Sequence, residues 1–535
     1  MPSWIVLAPV LLLIVAAGGI FLLDRLRPNF GLAWLIAMLA GIINWGMQLF
    51  YRFRTPMPFQ LADWLPFAVR MDDRLLFQVD TVSWPLAFSL SGLLLAVILT
   101  APVRLGQKSY PIAWASNLVI ASMGLVGVLS GNLITLLLVW SLIDVVELVI
   151  MLRTVHEPRL NRQVVIAFEA RVSGTIVALA AFVYGQSLNI EAAVSAFPQA
   201  SALLLAAAGL RLGVLPLNLP YQQEIQMHRG VGTSLRMASA ATSLVLLARL
   251  TSPQLSTGAT FLLLLSTAIA SLYAAAMWVG AANELNGRPY WIVATAGLAI
   301  TCVINGSPVN SLVWSTSMIL SGGVLFLYSA RARFSLVLPI LAALAVIGLP
   351  FTPTASGWAG LLGENVTLFG LVMVLVVALL VVGLLRHALL PGDSLKDMQG
   401  WIQVGYPLGL FILASSSWII AITGSQVPLI FNNWPASVAA FILVLGLGVL
   451  ILRRQRLIAL ERRITWLDAI LQAAGRWLAR FFGFRWLYTF LRDFMGLVRR
   501  LVEGFSLVLE GEGGVLWAMV LLALLLTLLI PGIGQ

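Results

Sequence analysis

The sequence has few residues that bind metals or form disulfides. Cys302 is its only cysteine, and its three histidines, His156, His228 and His387, lie far apart along 535 residues. Neither a disulfide framework nor a cysteine–histidine metal cluster can be built from this set. The chain also lacks a phosphate-binding P-loop motif. We therefore expect no metal, no cofactor and no catalytic residue, and no chemistry of its own.

Charged residues are scarce as well. They make up 10% of the chain, whereas hydrophobic residues make up 60%, a share well above that of globular proteins. Apolar stretches of about 20 residues recur from Trp4 to Ile530, with short polar turns between them. This pattern excludes a soluble protein and predicts an all-α integral membrane protein of about sixteen transmembrane helices.

The net charge of +11 comes largely from one segment near the C-terminus. Between Arg453 and Glu503 the chain holds eleven arginines against four acidic residues, and apolar residues recur there at helical spacing, with Trp466 and Trp477 among them. This pattern is typical of a helix that lies along the membrane surface. We therefore predict a cytoplasmic amphipathic lateral helix over 453–510, either a strut for neighbouring subunits or an anchor on anionic lipid, and no nucleic-acid partner.

The distribution of basic residues also predicts the orientation of the spans. If the N-terminus lies outside, the cytoplasmic loops carry most of the lysines and arginines, and the opposite loops carry only Arg52, Arg54, Arg70, Arg74 and Arg249. This agrees with the positive-inside rule. We expect both termini to lie outside, in the cytoplasmic membrane of a bacterium.

Two spans contain a proline well inside an apolar run, at Pro216 and Pro350. Discontinuous helices at matching places in two halves of a membrane protein are typical of inverted repeats with an ion path at the breaks. On this basis we expect N-terminal transmembrane helices (1–111), a first five-helix repeat (112–250), a second five-helix repeat (251–390), additional transmembrane helices (391–452), the lateral helix (453–510) and a C-terminal transmembrane helix (511–535).

Charged residues inside a bilayer are costly and are functional-site candidates by default. Asp144 and Glu147 lie one helical turn apart in the fifth span, Arg211 lies in the seventh just before the first break, and Glu169 and Arg171 lie near the start of the sixth. At 1.5 Å per residue, Asp144 and Arg211 come out at a matching depth of roughly 18–20 Å, so we expect an ion pair between them. Such a pair serves either an ion pathway or helix packing alone.

A series of short motifs follows the order and spacing of a known family. It contains an aspartate segment before the third span, the entry to the fifth span, a basic residue before the proline break of the seventh, and the entries to three later spans. The motifs lie at 77–83, 131–140, 211–218, 283–297, 325–326 and 348–358. Through them the chain resembles, over about 77–385, the antiporter-like membrane subunits of respiratory complex I, membrane-bound hydrogenases and Mrp-type sodium/proton antiporters.

The departures from that family concern its proton path, a buried line of glutamate, lysine and histidine side chains. The glutamate expected in the fifth span is Ser141, with Asp144 one turn further on, and the lysine expected in the seventh is Arg211. The lysines expected in the eighth and eleventh spans fall near Ala241 and at Gly322, and the acid nearest the twelfth-span position is Glu364. Because arginine keeps its proton at physiological pH, the resemblance implies a degenerate proton pathway.

The resemblance implies a divergent antiporter-like subunit of an NADH:quinone oxidoreductase, of a hydrogenase-like complex or of an Mrp-type complex. Its partners would be the lipid bilayer, other membrane subunits and protons or monovalent cations, with redox cofactors on other subunits. Charge movement near Asp144, Glu147 and Arg211 would be coupled to changes in adjacent subunits. Two alternatives stay open, a non-conducting scaffold subunit, which the missing lysines favour, and a stand-alone ion transporter.

Overall fold

The fold is known from a computed structural model. It describes residues 2–27, 32–61, 75–104, 111–154, 158–187, 198–217, 229–251, 253, 255–331, 334–363, 367–395, 398–424 and 434–457, together with positions 489, 493, 496, 519 and 522. The chain divides into two compact units, Met1–Ala459 and Leu460–Gln535. Glu364, nearly all of the predicted lateral helix and the predicted C-terminal span lie outside the described residues.

Most of the described residues of the first unit are helical. Its helices are α1 (Ala8–Leu26), α2 (Ala33–Phe53), α3 (Ser83–Thr100), α4 (Pro111–Leu129), α5 (Leu133–Thr154), α6 (Pro158–Ser187), α7 (Pro198–Leu212), α8 (Arg229–Arg249), α9 (Thr257–Gly280), α10 (Glu284–Ile304), α11 (Ser311–Leu327), α12 (Val337–Ile347), α13 (Gly357–Leu362), α14 (Leu368–Ala388), α15 (Gly400–Thr423) and α16 (Trp434–Leu457). Two short strands, β1 (Phe59–Gln60) and β2 (Leu76–Phe77), pair antiparallel between α2 and α3.

Most of these helices are long and apolar enough to span a membrane. Within the described part of the chain, twelve helical segments are long and apolar enough to cross a membrane, and three shorter apolar helices lie at Ala200–Leu212, Phe334–Ile347 and Trp434–Val449. This confirms the predicted all-α membrane fold. The count of sixteen spans and the inverted repeats stay predictions.

The spans differ in how far they are enclosed by the rest of the protein. In α1, α2, α6 and α9, fewer than half of the residues in the most apolar segment are buried inside the protein. By contrast, α8, α10 and α11 are the least hydrophobic of the twelve spans and are almost wholly buried. The polar spans therefore lie inside the bundle, where helices rather than lipid surround them.

Two helices end near the prolines that the sequence singles out. Helix α7 ends at Leu212, and the amide groups of Val214 and Leu215 both donate to the Gly209 carbonyl at 2.9 and 3.1 Å. The turn that follows carries Pro216. The described residues after α7, 213–217, thus form a largely buried turn, and two of their amides bind the end of the helix.

The second interruption begins at Gly348, where α12 stops with a φ of +70°. Residues other than glycine rarely adopt this backbone conformation, and a Cβ atom at this position would lie 2.3 Å from Trp358 Nε1. The Trp358 indole donates to the Ile347 carbonyl at 3.3 Å, and Thr354 Oγ1 donates to the Ala345 carbonyl at 2.6 Å. Side chains thus bind carbonyls that the end of α12 leaves free, before α13 begins.

Candidate functional site

The two acidic residues of α5 lie at the centre of the site. Asp144 and Glu147 are three residues apart, so both carboxylates project from one side of the helix. Both are buried, at 2% and 5% exposure. A charge in such a position is stabilised only by ion pairs and hydrogen bonds, and three neighbouring helices supply them.

Arg211, in the last turn of α7, binds Asp144 with two hydrogen bonds. Its Nη1 donates to Oδ2 at 2.5 Å and its Nη2 to Oδ1 at 2.8 Å. The guanidinium also donates to Thr175 Oγ1 and Ser243 Oγ at 2.8 and 3.3 Å and lies 4.2 Å from the centre of the Trp140 ring. This bidentate pairing and the cation–π contact together fix the orientation of the guanidinium group. The structure thus brings together the two residues expected to pair.

Two further arginines hold Glu147. Arg171 of α6 donates to the Glu147 carboxylate and, at 2.6 Å, to Ser239 Oγ, and its Nη1 lies 3.6 Å from Asp144 Oδ1. Arg236 of α8 donates from Nη1 to Glu147 Oε1 at 2.6 Å. Arg171 therefore links the two carboxylates, because it contacts one and lies within ion-pair distance of the other.

These five residues form the charge network: Asp144, Glu147, Arg171, Arg211 and Arg236. Its members come from four consecutive helices, α5 to α8, and three guanidinium groups face two carboxylates. Among these five described residues, arginines thus outnumber carboxylates by one. All three cations are arginines, so only the two carboxylates can change protonation state near neutral pH.

A small cavity of about 20 Å³ lies beside the network. Its wall includes both carboxylates, Asp144 and Glu147, together with Arg171 and Arg236. The rest of its described lining is apolar. An ion or a proton in this space lies beside both carboxylates and two of the arginines.

The other residues predicted for the site lie elsewhere. Glu169 points to the exposed face of α6, and its carboxylate is not part of the charge network. Glu364 lies outside the described residues, and Pro350 follows the end of α12. Among the described residues no group of three or more histidine, cysteine, aspartate or glutamate side chains is placed to hold a metal ion.

Arg236 has no counterpart in the sequence prediction. Helix α8 begins at Arg229, and Arg236 lies two turns from its start. The opposite charges of α5 and α8 could have indicated a pairing between Glu147 and Arg236. They identify the pair only when the two helices are known to be neighbours.

A second set of arginines binds the ends of helices, and we call them the helix-end arginines: Arg104, Arg229, Arg331 and Arg386. They donate to carbonyl oxygens in the last turns or just beyond the ends of α9, α11 and α14, at distances of 2.7–3.4 Å. Arg229 also forms an ion pair with Glu284 at 2.7 Å. Cations at helix C-termini satisfy free carbonyls and favour the helix dipole, so this set stabilises the bundle.

No protein-family model matches the chain, and no curated protein matches it. Solved structures do. A chain of the Mrp complex from Dietzia sp. aligns with a TM-score of 0.65 and 15% identity, over 92% of this chain and 63% of its own length. A chain of respiratory complex I from Thermus thermophilus with bound NADH aligns with a TM-score of 0.63 and 19% identity, over 82% of this chain and 99% of its own length.

A chain of the membrane-bound sulfane sulfur reductase, an archaeal respiratory membrane complex, aligns with a TM-score of 0.62 and 14% identity, over 98% of this chain and 99% of its own length. The present chain thus spans less than two thirds of the Mrp chain and nearly all of the other two. At these identities the likeness shows a shared fold. It confirms the resemblance that the ordered motifs predicted.

Proposed function

We propose that this protein is a divergent antiporter-like membrane subunit of a multisubunit energy-converting complex, of the NADH:quinone oxidoreductase, hydrogenase-like or Mrp type. The observation that carries this proposal is the charge network of α5 to α8, buried beside the end of α7 in a fold shared with chains of three membrane complexes. Lone charges in this setting are expensive, and their placement at a broken helix is typical of ion-coupled membrane proteins.

The composition of the network favours charge coupling over proton conduction. A proton relay needs successive groups that take up and release protons, whereas Arg171, Arg211 and Arg236 keep theirs. Arg171 contacts Glu147 and lies 3.6 Å from Asp144, so a small movement exchanges its partner. A proton or monovalent cation that neutralises Glu147 from the small cavity beside it favours this exchange, and the displaced charge acts on neighbouring subunits.

The finer features of the proposal follow the family resemblance. The complex lies in the cytoplasmic membrane of a bacterium, and the subunit contains two inverted five-helix repeats at 112–250 and 251–390 among about sixteen helices. The segment 453–510 lies along the cytoplasmic surface and braces neighbouring subunits. Redox cofactors, where the complex has them, belong to other subunits.

Purification in mild detergent with identification of bound proteins tests membership of a complex. We expect other integral membrane subunits to remain bound. Recovery of the chain alone, from cells in which its chromosomal neighbours are expressed, contradicts the proposal and favours a stand-alone transporter.

The coupling role is tested by Glu147→Gln in the purified complex after reconstitution into vesicles. We expect the complex to assemble and its ion-coupled activity to fall at least about tenfold, because a neutral amide no longer responds to a proton or cation. Asp393→Asn, which changes an exposed carboxylate away from the network, is the matched control and should keep normal activity.

A non-conducting scaffold is the second candidate, and the complete pairing of Asp144 and Glu147 by arginines favours it. In that case the charge network only fixes helix packing. An assembled Glu147→Gln complex with full ion-coupled activity supports the scaffold and rejects charge coupling.

A further inference from the structure

Glu169 differs from the other charged residues of the membrane spans because its side chain faces outward. Among the twelve described spans, it is the only acidic or basic residue that is exposed and lies more than one helical turn from an end of its span. It lies six residues after the start of the span Gln163–Gly185, which corresponds to roughly 9 Å along the helix. Its position is therefore within the apolar layer of the membrane rather than at its surface.

The exposed side of α6 carries a set of residues that we call the outward stripe: Val165, Glu169, Ile176 and Val183. Their spacing of four and seven residues places them on one side of the helix. The three apolar members are 38%, 59% and 59% exposed. The span of α6 is also the least enclosed of the twelve described spans, with 28% of its most apolar segment buried. The described part of the chain therefore leaves the outward stripe uncovered.

The carboxylate of Glu169 forms no ion pair with any described residue of the chain. Arg171 lies two residues further on, about 200° around the helix axis, and binds Glu147 inside the bundle. Acidic residues in membrane spans almost always face a protein interior and pair with a cation, because contact with lipid is costly. An apolar helix face fits lipid and protein equally well, whereas a face that carries a carboxylate fits a protein that supplies a positive charge.

We propose that the outward stripe is an interface with a neighbouring membrane subunit, and that Glu169 binds a lysine or arginine on a transmembrane helix of that subunit. This inference rests on the proposed function, because it requires a multisubunit complex. The apolar members of the stripe pack against the partner helix, and the ion pair fixes the depth and rotation of that helix. Since Arg171 lies on the other side of α6, a charge shift in the charge network acts on the partner's cation across a single helix.

Photo-cross-linking identifies the partner while Glu169 stays unaltered. Ser173 is exposed, lies one turn from Glu169 and donates a hydrogen bond to the Glu169 carbonyl at 2.8 Å. It is replaced by p-benzoylphenylalanine, intact membranes are irradiated, and the adducts are identified by mass spectrometry. We expect an adduct with another membrane subunit, on a helix that carries a lysine or arginine within about one turn of the cross-linked residue. Adducts with phospholipid alone, with a second copy of this chain, or with a helix that lacks a nearby basic residue overturn the proposal.

Charge reversal tests the ion pair itself. We expect Glu169→Lys to reduce copurification of the cross-linked subunit in mild detergent at least about tenfold, because two cations then meet at the interface. The isolated variant chain should unfold like the unaltered chain. Asp24→Lys makes the same charge change in the last turn of α1 and is the matched control, for which we expect normal copurification. Normal copurification of the Glu169→Lys chain overturns the proposal.

A second variant, Glu169→Gln, covers the case in which the lysine variant does not fold. It keeps the size of the side chain and removes its charge, so we expect it to retain less of the subunit than the unaltered chain does. Full retention overturns the proposal.

Failure of this inference can be distinguished from failure of the proposed function. Recovery of the unaltered chain without any membrane subunit rejects both. A complex that stays intact in both Glu169 variants, with no subunit adduct at position 173, rejects the interface at α6 and leaves the proposed function in place.

Discussion

Asp144 lies within ion-pair distance of two arginines, and this changes what the loss of each partner costs. Asp144→Asn removes the carboxylate that binds Arg211 in the bundle interior, whereas Arg211→Leu leaves Asp144 with Arg171 at 3.6 Å. We expect Asp144→Asn to lower the free energy of unfolding by about 3–5 kcal/mol and Arg211→Leu to lower it less. The double variant keeps the original charge balance and should be close to neutral. Unfolding of purified protein by sodium dodecyl sulfate measures all three.

The exposed Glu169 of α6 supplies the control for this series. Glu169→Gln neutralises a carboxylate of the same helix bundle outside the charge network, so we expect an unchanged free energy of unfolding. If Asp144→Asn and Arg211→Leu cost the same and their effects simply add in the double variant, the two residues do not interact in the folded protein.

Individual residues of the site could be predicted only where their charge and their depth in the membrane were enough to identify a partner. Asp144 and Arg211 are charged, lie in long apolar runs and have matching depths, so the sequence identified them as partners. The pairing of Glu147 with Arg171 and Arg236 depends on which helices are adjacent and how they are rotated, and neither follows from a span count. The exposure of Glu169 depends on the same rotation.

Close contact between helices is clearest where α9 crosses α10. A Cβ at Gly297 would meet Ser271 Oγ at 1.8 Å, whereas a Cβ at Gly46 in α2 would meet nothing within 4 Å. We expect Gly297→Ala to destabilise the protein by about 1–3 kcal/mol through overpacking. Gly46→Ala should be neutral or stabilising, because alanine favours a helix over glycine by about 1 kcal/mol. The midpoint of detergent unfolding compares the two variants.

Removal of the opposing hydroxyl group distinguishes a local clash from a general effect. Adding Ser271→Ala to Gly297→Ala should recover part of the lost stability, since the Ser271 Cβ lies at a more tolerable 3.1 Å. Equal effects of alanine at Gly297 and Gly46, or no recovery in the double variant, show that α9 and α10 do not approach this closely.

At the scale of helices, the sequence predicted interruptions better than it predicted their limits. Proline lacks an N–H and collides with the preceding turn, so Pro216 and Pro350 pointed to discontinuous spans. Helix α7 nevertheless ends at Leu212 and α12 at Ile347. The end of a helix depends on which groups bind its last carbonyls, and the proline pattern does not identify these groups. They are backbone amides of the following turn at α7 and the side chains of Thr354 and Trp358 at α12.

For the whole molecule, composition and periodicity were sufficient to predict an all-α membrane fold, because only helices and closed barrels satisfy their backbone in lipid. The order of the motifs went further and predicted the resemblance that the solved structures confirm at 14–19% identity. Neither identifies a partner, because an apolar outer surface can face protein or lipid equally well.

The orientation of the molecule stays a prediction that cysteine labelling can test. Cys302 is the only cysteine and is buried, so an introduced cysteine is labelled against a low background. We expect a membrane-impermeant maleimide to label Met57→Cys in intact cells, because Met57 is exposed in a loop predicted to lie outside. Asp393→Cys, in a loop predicted to be cytoplasmic, should react only after the membrane is opened. The reverse pattern means that the chain is inverted or that the spans were miscounted.

The burial of the least hydrophobic spans, α8, α10 and α11, also has a consequence for biogenesis. A newly made helix that lipid does not readily accept is stable in the bilayer only when protein neighbours shield its polar groups. Helix α8 emerges from the ribosome after α3, α4 and α7 and before α10 and α11, and it packs against all five. Its shielding is therefore complete only when the later helices have joined it. Truncation between these helices leaves a nascent protein that depends on the insertion machinery and is exposed to quality-control proteases.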